Sequence, residues 1–245
     1  MKKIVRRGFN LLGLDLKRHV PRPAHTLPTL LELYGVETVF DIGANIGMSG
    51  QYFRNVGFGG KMVSCEPVSR YYKELEQKSA GDSAWLCENV AVGEREGELE
   101  INVTGGGGGA SSFLRMTPAV TEHAPELAVV SQERVRVTTL DALARKHYPA
   151  GDRLFLKLDV QGYERNVLEG GPETLARVVG LRVELSVLKC YEGEPLLCDM
   201  LPYLDGLGFK LCGIEPAWSD ERTQEVFQLD GIFCRPEGLR QDAGA

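Results

Sequence analysis

The chain has 245 residues, of which 43% are hydrophobic and 25% charged, enough to bury one substantial core. A net charge of −6 with dispersed basic residues leaves no positive track for DNA or RNA, and no apolar run approaches a membrane span. The six cysteines (Cys65, Cys87, Cys190, Cys198, Cys212 and Cys234) lack the spacing of zinc or redox sites, so they read as reduced core residues of a cytoplasmic protein. In chain order, residues 1–23 form a basic arm in which Lys2, Lys3, Arg6 and Arg7 alternate with Ile4, Val5, Phe9, Leu11 and Leu12. Such an arm either packs on its own domain or makes weak contact with an anionic membrane surface. Pro21, Pro23 and Pro28 interrupt helix after it, and the domain proper is expected over 24–236.

Short apolar runs then alternate with amphipathic stretches, the pattern of an α/β protein with a mostly parallel sheet. Strands are expected at 37–41 and 61–65, with a helix over 46–56 between them that Gly57 ends. A helix presenting Tyr72, Leu75 and Glu76 follows, then runs at 84–87 and 89–93 and an added strand at 99–103, with 94–97 as the turn. Gly105 to Gly109 is expected to be a mobile loop, because consecutive glycines lose the most backbone freedom on ordering. Beyond it come a strand at 134–137, a helix at 140–147, a buried strand at 153–159 and a helix from Gln161 to Leu168 that stops at Gly170. A strand at 181–186, a helix at 195–207 and strands at 209–214 and 226–234 complete the domain, with a bulge at Asp230-Gly231. The last two strands suggest an antiparallel member at the sheet edge, and residues 237–245 read as a flexible tail.

The strongest motif is Phe40-Asp-Ile-Gly-Ala-Asn-Ile-Gly47, between a strand and a helix. Asn45 stands where the dinucleotide pattern G-x-G-x-x-G has its second glycine, which weakens a pyrophosphate site. The form D-x-G-x-N-x-G fits better, with the loop curving around the methionine part of S-adenosylmethionine and Asp41 accepting from an ammonium or a water. Glu66 ends the second strand 25 residues beyond Asp41, about where an acidic side chain grips ribose hydroxyls.

Together, 39–47, Glu66-Pro67, Asn89-Val-Ala-Val-Gly93, Ser111-Ser112, Thr138-Thr-Leu-Asp141, Leu156-Lys-Leu-Asp-Val-Gln-Gly-Tyr-Glu164 and Val167-Leu-Glu-Gly-Gly171 resemble the FkbM family of methyltransferases. The resemblance covers about residues 37–190 and implies a class I methyltransferase (Rossmann-like) fold: a mostly parallel seven-stranded sheet with an antiparallel edge strand and helices on both faces. It also implies S-adenosylmethionine as donor, S-adenosylhomocysteine as product, and O-methylation of sugar or natural-product hydroxyls. Cofactor contacts are then expected from Asp41, Gly43, Ala44, Asn45, Gly47, Ser49, Glu66, Pro67, Asn89, Val90, Ala91, Ser112 and Asp159. Family members often carry Glu where this chain has Gln161.

Methyl transfer from a sulfonium needs alignment, and an alcohol acceptor must also lose its proton to a nearby carboxylate or His. Asp159 is the first candidate, with a helix-capping role as its structural alternative. Lys157 and Glu184 complete the catalytic set, and Lys157 is expected beside Glu164 or Glu184 because a buried ammonium needs a partner. Asp159, Glu184 and Asp230 at strand ends would suit Mg²⁺, although no metal is expected. His123 could enter the site behind the glycine loop, but it, His19, His25 and His147 are expected to be solvated. The glycine loop with Ser111 and Ser112 could form a lid. Tyr191, Trp218 and Phe227 could stack on a sugar ring or belong to the core. A nicotinamide oxidoreductase is disfavoured because Tyr163 is followed four residues later by Val167 rather than Lys. A noncatalytic methyltransferase-like module is the other alternative, and nothing in the sequence specifies an oligomeric state.

Overall fold

A computed structural model describes residues 27–148, 153–220 and 222–240. The basic arm therefore lies outside the described residues, as do His19 and His25. Seven strands form the main sheet: β1 (Thr38–Ile42), β2 (Lys61–Cys65), β3 (Trp85–Glu88), β7 (Leu154–Leu158), β8 (Val178–Ser186), β9 (Lys210–Ser219) and β10 (Val226–Cys234). Their order is β3-β2-β1-β7-β8-β10-β9. All pairings from β3 to β8 are parallel, while β10 runs antiparallel to both β8 and β9. The antiparallel pairings thus occupy one end of the sheet, with the reversed strand one place in from the edge. The direction of strand succession changes between β1 and β7, and the crevice at such a switch point is where open α/β sheets bind ligands.

Each face of the sheet buries its own core. Phe40, Ile42, Leu154, Leu156, Leu158, Leu181 and Val183 pack beneath α5 (Leu140–His147), α6 (Glu164–Glu169), α7 (Pro172–Leu175) and α8 (Leu197–Gly206). On the other face Val39, Met62, Phe155 and Ile232 meet α1 (Leu27–Leu33), α2 (Met48–Asn55) and α3 (Ser69–Ser79) through Leu30, Phe53 and Leu75. Strand β7 is buried along its whole length, as a central parallel strand covered on both sides must be.

Several boundaries differ from the sequence expectation for local reasons. Pro28 lies in the first turn of α1, where its missing N–H costs nothing. Helix α3 buries Tyr71, Leu75 and Ser79 rather than Tyr72 and Glu76. The helix expected from Gln161 begins only at Glu164, because Gln161 and Gly162 have φ of 58° and 89°. The register irregularities of β10 flank Asp230-Gly231 instead of falling on it. The expected tail is docked as far as Arg240: Arg153 donates to Gly238 O, and Arg240 N donates to Leu33 O at 3.2 Å.

A second sheet was not foreseen. Strands β4 (Ala91–Gly93) and β5 (Gly97–Thr104) do not form the hairpin that the intervening turn suggested. Both pair instead with the long β6 (Val129–Thr139), parallel and antiparallel respectively, in the order β4-β6-β5. Ile101, Val103, Val135 and Val137 pack from this sheet onto Val68 and Tyr71 at the start of α3.

Leu156 lies at the centre of the larger core with no solvent exposure. Leu156→Ala is expected to lower unfolding stability by about 3 kcal/mol in urea denaturation, since the cavity adds to the lost burial. A loss under about 1 kcal/mol would contradict the central position of β7.

Candidate active site

The loop after β1 is anchored on every side. Gly43 N and Ala44 N donate to Cys65 O at 3.1 and 3.0 Å, and Asp159 N donates to Ile42 O at 3.1 Å. Gly43 has φ of 77°, and a Cβ there would lie 1.8 Å from Asp159 O, so no other residue fits. Asn45 adopts φ of 47°, a conformation Asn tolerates well. Its backbone N donates to Glu66 Oε2 at 2.8 Å, and its Nδ2 reaches Gly107 O at 3.2 Å.

Beneath the loop lies a buried ammonium. Lys157 Nζ donates to Gly43 O at 2.9 Å and lies 3.2 Å from Asp41 Oδ1 and 3.3 Å from Asp159 Oδ2. Burial alone would lower the Lys157 pKa, but the charges of Asp159 and Asp41 override it and hold the ammonium above its ordinary value. These partners replace the expected Glu164 or Glu184. Glu164 accepts instead from Val160 N and Gly162 N at 2.9 and 3.3 Å, and burial raises its pKa to about 8.

Above the loop lies a cleft of about 680 Å³, counted with its open mouth. Of the residues expected to hold the donor, Gly43, Asn45, Glu66, Pro67, Val90, Ala91, Ser112 and Asp159 line it. The others do not. Asp41 is fully buried and accepts from Ser64 Oγ at 3.1 Å. Ala44 is buried, Gly47 caps α2 with φ of 80°, and Ser49 sits in its first turn. Asn89 reaches back through Nδ2 to Glu66 O and Pro67 O at 2.9 and 3.0 Å, which positions the second-strand end. Lys157 is likewise buried and does not line the cleft. Lining residues that the sequence reading missed include Ile101, Gly108, Phe113, Val160, Gln161 and Tyr163. Phe113 and Tyr163 pack edge to face at 5.1 Å.

Glu66 is 5% exposed, and its Oε1 accepts from Val68 N at 2.8 Å. Burial raises its pKa to about 7 despite this bond and the one from Asn45 N. Each oxygen keeps a second lone pair, suited to a pair of hydroxyl donors. With apolar Val90, Ala91, Ile101 and Phe113 opposite, the residues fit a nucleoside: acceptors for ribose and flat apolar walls for a base.

The glycine stretch packs against α3 through Gly108. Gly108 has φ of 72°, and a Cβ there would lie 2.0 Å from the Tyr71 ring, so glycine lets the backbone lie against that ring. Ser112 Oγ donates to Gln161 O at 2.7 Å, joining the end of this segment to the loop after β7.

Gln161 is the hub of that second loop. Its Nε2 donates to Asp159 Oδ1 at 2.8 Å and to Glu184 Oε2 at 2.7 Å, and its Oε1 lies 2.7 Å from the Tyr191 hydroxyl. Glu184 Oε2 also accepts from Gln228 Nε2 at 2.9 Å. Burial, and then the charges of Asp159, Glu164 and Asp230, push the Glu184 carboxyl well up. Asp230 is turned to Arg182 at 2.7 Å, and among the described residues no group of three His, Cys, Asp or Glu is arranged to hold a metal ion. Asp159 caps no helix. His147 is paired with Glu88 at 2.7 Å rather than solvated, and His123 packs on Phe227 outside the cleft.

A family model for the methyltransferase FkbM domain matches residues 41–211. The chain belongs to the FkbM methyltransferase family. The 2-O-methyltransferase NoeI of Sinorhizobium fredii is 25% identical over 174 residues, spanning 67% of this chain and 70% of that protein. Similar solved structures include an rRNA methylase from Streptococcus thermophilus, at 12% identity and TM-score 0.47, covering 89% of this chain and 99% of that one. The magnesium protoporphyrin IX methyltransferase ChlM of Synechocystis aligns at 12% identity and TM-score 0.46, over 96% of each chain. As an FkbM member the protein is an S-adenosylmethionine-dependent methyltransferase of the class I fold. No helix among the described residues is long and apolar enough to cross a membrane.

If Glu66 accepts from the ribose, as its lone pairs suggest, its charge state sets donor affinity. Calorimetry with S-adenosylhomocysteine is expected to show affinity falling as the pH drops through about 7, by at most about tenfold per unit. Protonation fills an acceptor lone pair, so binding weakens on the acid side, and Glu66→Gln should flatten the curve. A flat wild-type profile would remove Glu66 from the ribose contact.

Proposed function

We propose that this FkbM protein transfers a methyl group to a hydroxyl oxygen of a small molecule, either a sugar or a natural-product intermediate. The carrying observation is the carboxylate pair Asp159 and Glu184 bridged by Gln161 Nε2 at the edge of the cleft. A hydroxyl acceptor needs such a base, whereas an already nucleophilic thiolate does not. The name 2-O-methyltransferase carried by the NoeI relative agrees with an oxygen acceptor.

In this reading the ribose hydroxyls are held by Glu66, and the base lies between Val90, Ala91, Ile101 and Phe113. The methionyl end lies along Gly43, Asn45 and Ser112, toward Asp159. S-adenosylmethionine supplies a methyl carbon on a positively charged sulfur. The protein orients the acceptor oxygen in line with that carbon, excludes water and receives the hydroxyl proton.

Titration calorimetry with S-adenosylhomocysteine, with NAD as the control, is the direct test of the donor. Binding on the order of micromolar for S-adenosylhomocysteine and none for NAD is expected. Binding of NAD alone would overturn the reading in favour of hydride transfer, and binding of neither would favour a noncatalytic module.

A further inference from the structure

Next to the donor cleft lies a second hollow. The two share Gly109 and Gln161, so they abut across the loop after β7. Its remaining walls come from the irregular segments of the chain: Val120, Ala124 and Leu127 on one side, Cys190, Tyr191 and Trp218 on the other, with Glu184 and Gln228 at its base. Trp218 is half-buried and stacked on Phe227, with ring centroids 4.6 Å apart at an interplanar angle of 30°.

The two carboxylates near the shared wall are not equivalent. Each oxygen of Asp159 takes one partner inside the protein, Oδ1 the Gln161 amide and Oδ2 the Lys157 ammonium. In Glu184 one oxygen, Oε2, takes both amide donors, and Oε1 receives no hydrogen bond from any described residue. The carboxylate oxygen with no partner among the described residues is therefore on Glu184, and Glu184 lines the second hollow rather than the donor cleft. The only charged residues among the lining are Glu126 and Glu184, both acidic. An anionic ring would meet repulsion and find no cation to pair with. A half-exposed indole beside amide and carboxylate groups suits a ring with an apolar C–H face and a rim of hydroxyls.

We propose that this hollow seats the methyl acceptor as an uncharged or amino-bearing glycosyl ring lying against Trp218, and that Glu184 Oε1 receives the proton of the hydroxyl being methylated. The inference rests on the O-methyltransferase reading above. In the step, the hydroxyl oxygen forms the new bond to the methyl carbon, and the sulfur keeps the electron pair of the broken bond and becomes a neutral thioether. The hydroxyl proton passes to the Glu184 carboxylate, which later returns it to water. Gln161 is a positioning residue: its amide fixes the Glu184 oxygen that is not used, so that the other faces the hollow.

The test uses intrinsic fluorescence, because the chain holds only two tryptophans and the other, Trp85, is buried with its Nε1 on Ser64 Oγ. Full-length protein saturated with S-adenosylhomocysteine is titrated with methyl gluco-, galacto- and mannopyranosides, their 2-amino counterparts and the matching methyl uronates. A saturable change in emission with neutral or amino glycosides is expected, with uronates about tenfold weaker or worse, and Trp218→Phe should abolish it. Glu184→Gln should leave S-adenosylhomocysteine affinity within about twofold and preserve the glycoside response, while methylation of the responding glycoside falls by about 10²-fold or more. If S-adenosylhomocysteine binds but no glycoside responds, or uronates bind as well as neutral rings, the acceptor assignment is wrong and the donor reading stands. Undiminished turnover in Glu184→Gln would overturn the proton assignment alone. Failure of S-adenosylhomocysteine to bind would bring down the donor reading and this inference with it.

Discussion

A lysine ammonium buried under the cofactor loop is the constraint on which the site depends. An unpaired charge in that position would cost several kcal/mol, so Lys157 must be surrounded by acceptors in fixed places. The partners are Asp41 across the β1–β7 register, Asp159 just past the end of β7, and the carbonyl of Gly43. Satisfying the lysine therefore fixes the end of β1, the end of β7 and the turn between β1 and α2 at once. The polar chain continues in both directions through an otherwise apolar sheet. Trp85 Nε1 donates to Ser64 Oγ, which donates to Asp41, while Asp159 leads through Gln161 to Glu184 and Gln228. Side chains of β3, β2, β1, β7, β8 and β10 are joined in one polar network.

Gln161 is where that network has the least freedom. A carboxylate at this position would put a third anion between Asp159 and Glu184, with Lys157 already committed to Asp41 and Asp159. The amide presents two N–H groups from one nitrogen, one for each carboxylate, and an oxygen toward the Tyr191 hydroxyl. Its left-handed backbone is strained for a residue with a Cβ, at a cost on the order of 1 kcal/mol, and three side-chain contacts and the Ser112 bond hold it there. Strain maintained this firmly is typical of positions where geometry serves chemistry rather than stability.

The strands were legible because their apolar runs end at Gly, Asp or Glu, and the spans of β2, α5 and β10 match the expectation to the residue. What sequence spacing could not carry was register. Lys157 was assigned to Glu164 or Glu184 because both are close along the chain or on the next strand. Of its actual partners, Asp41 is set by a parallel pairing between strands more than a hundred residues apart. The second sheet escaped for a similar reason, since β4 and β5 are adjacent in sequence but each pairs with β6. The glycine stretch shows another limit: composition measures the freedom a loop has to lose, whereas the contact with Tyr71 that requires glycine at position 108 is made only by tertiary packing. Asp41, Gly47 and Asn89 belong to the motif but do not line the cleft, so a motif match located the site without separating its lining from the residues around it.

Three buried glutamates solve one recurrent problem of this fold. The loops leaving the carboxyl ends of β1, β2, β7 and β8 carry backbone N–H groups that buried carboxylates accept. Glu66 accepts from Asn45 and Val68, Glu164 from Val160 and Gly162, and Glu194 from Cys190 and Tyr191. In each case burial raises the carboxyl pKa against the pull of those hydrogen bonds, so the loop geometry is held at an electrostatic cost. Glu164 and Glu194 do not line the donor cleft, and their work ends with the loops they hold. Glu66 alone of the three lines it, and a ligand bringing two hydroxyl donors would offset part of that cost. In the proposed reading the same carboxylate couples two functions that a sequence motif records as one letter: it shapes the loop that meets the donor, and the donor's hydroxyls favour its charged form.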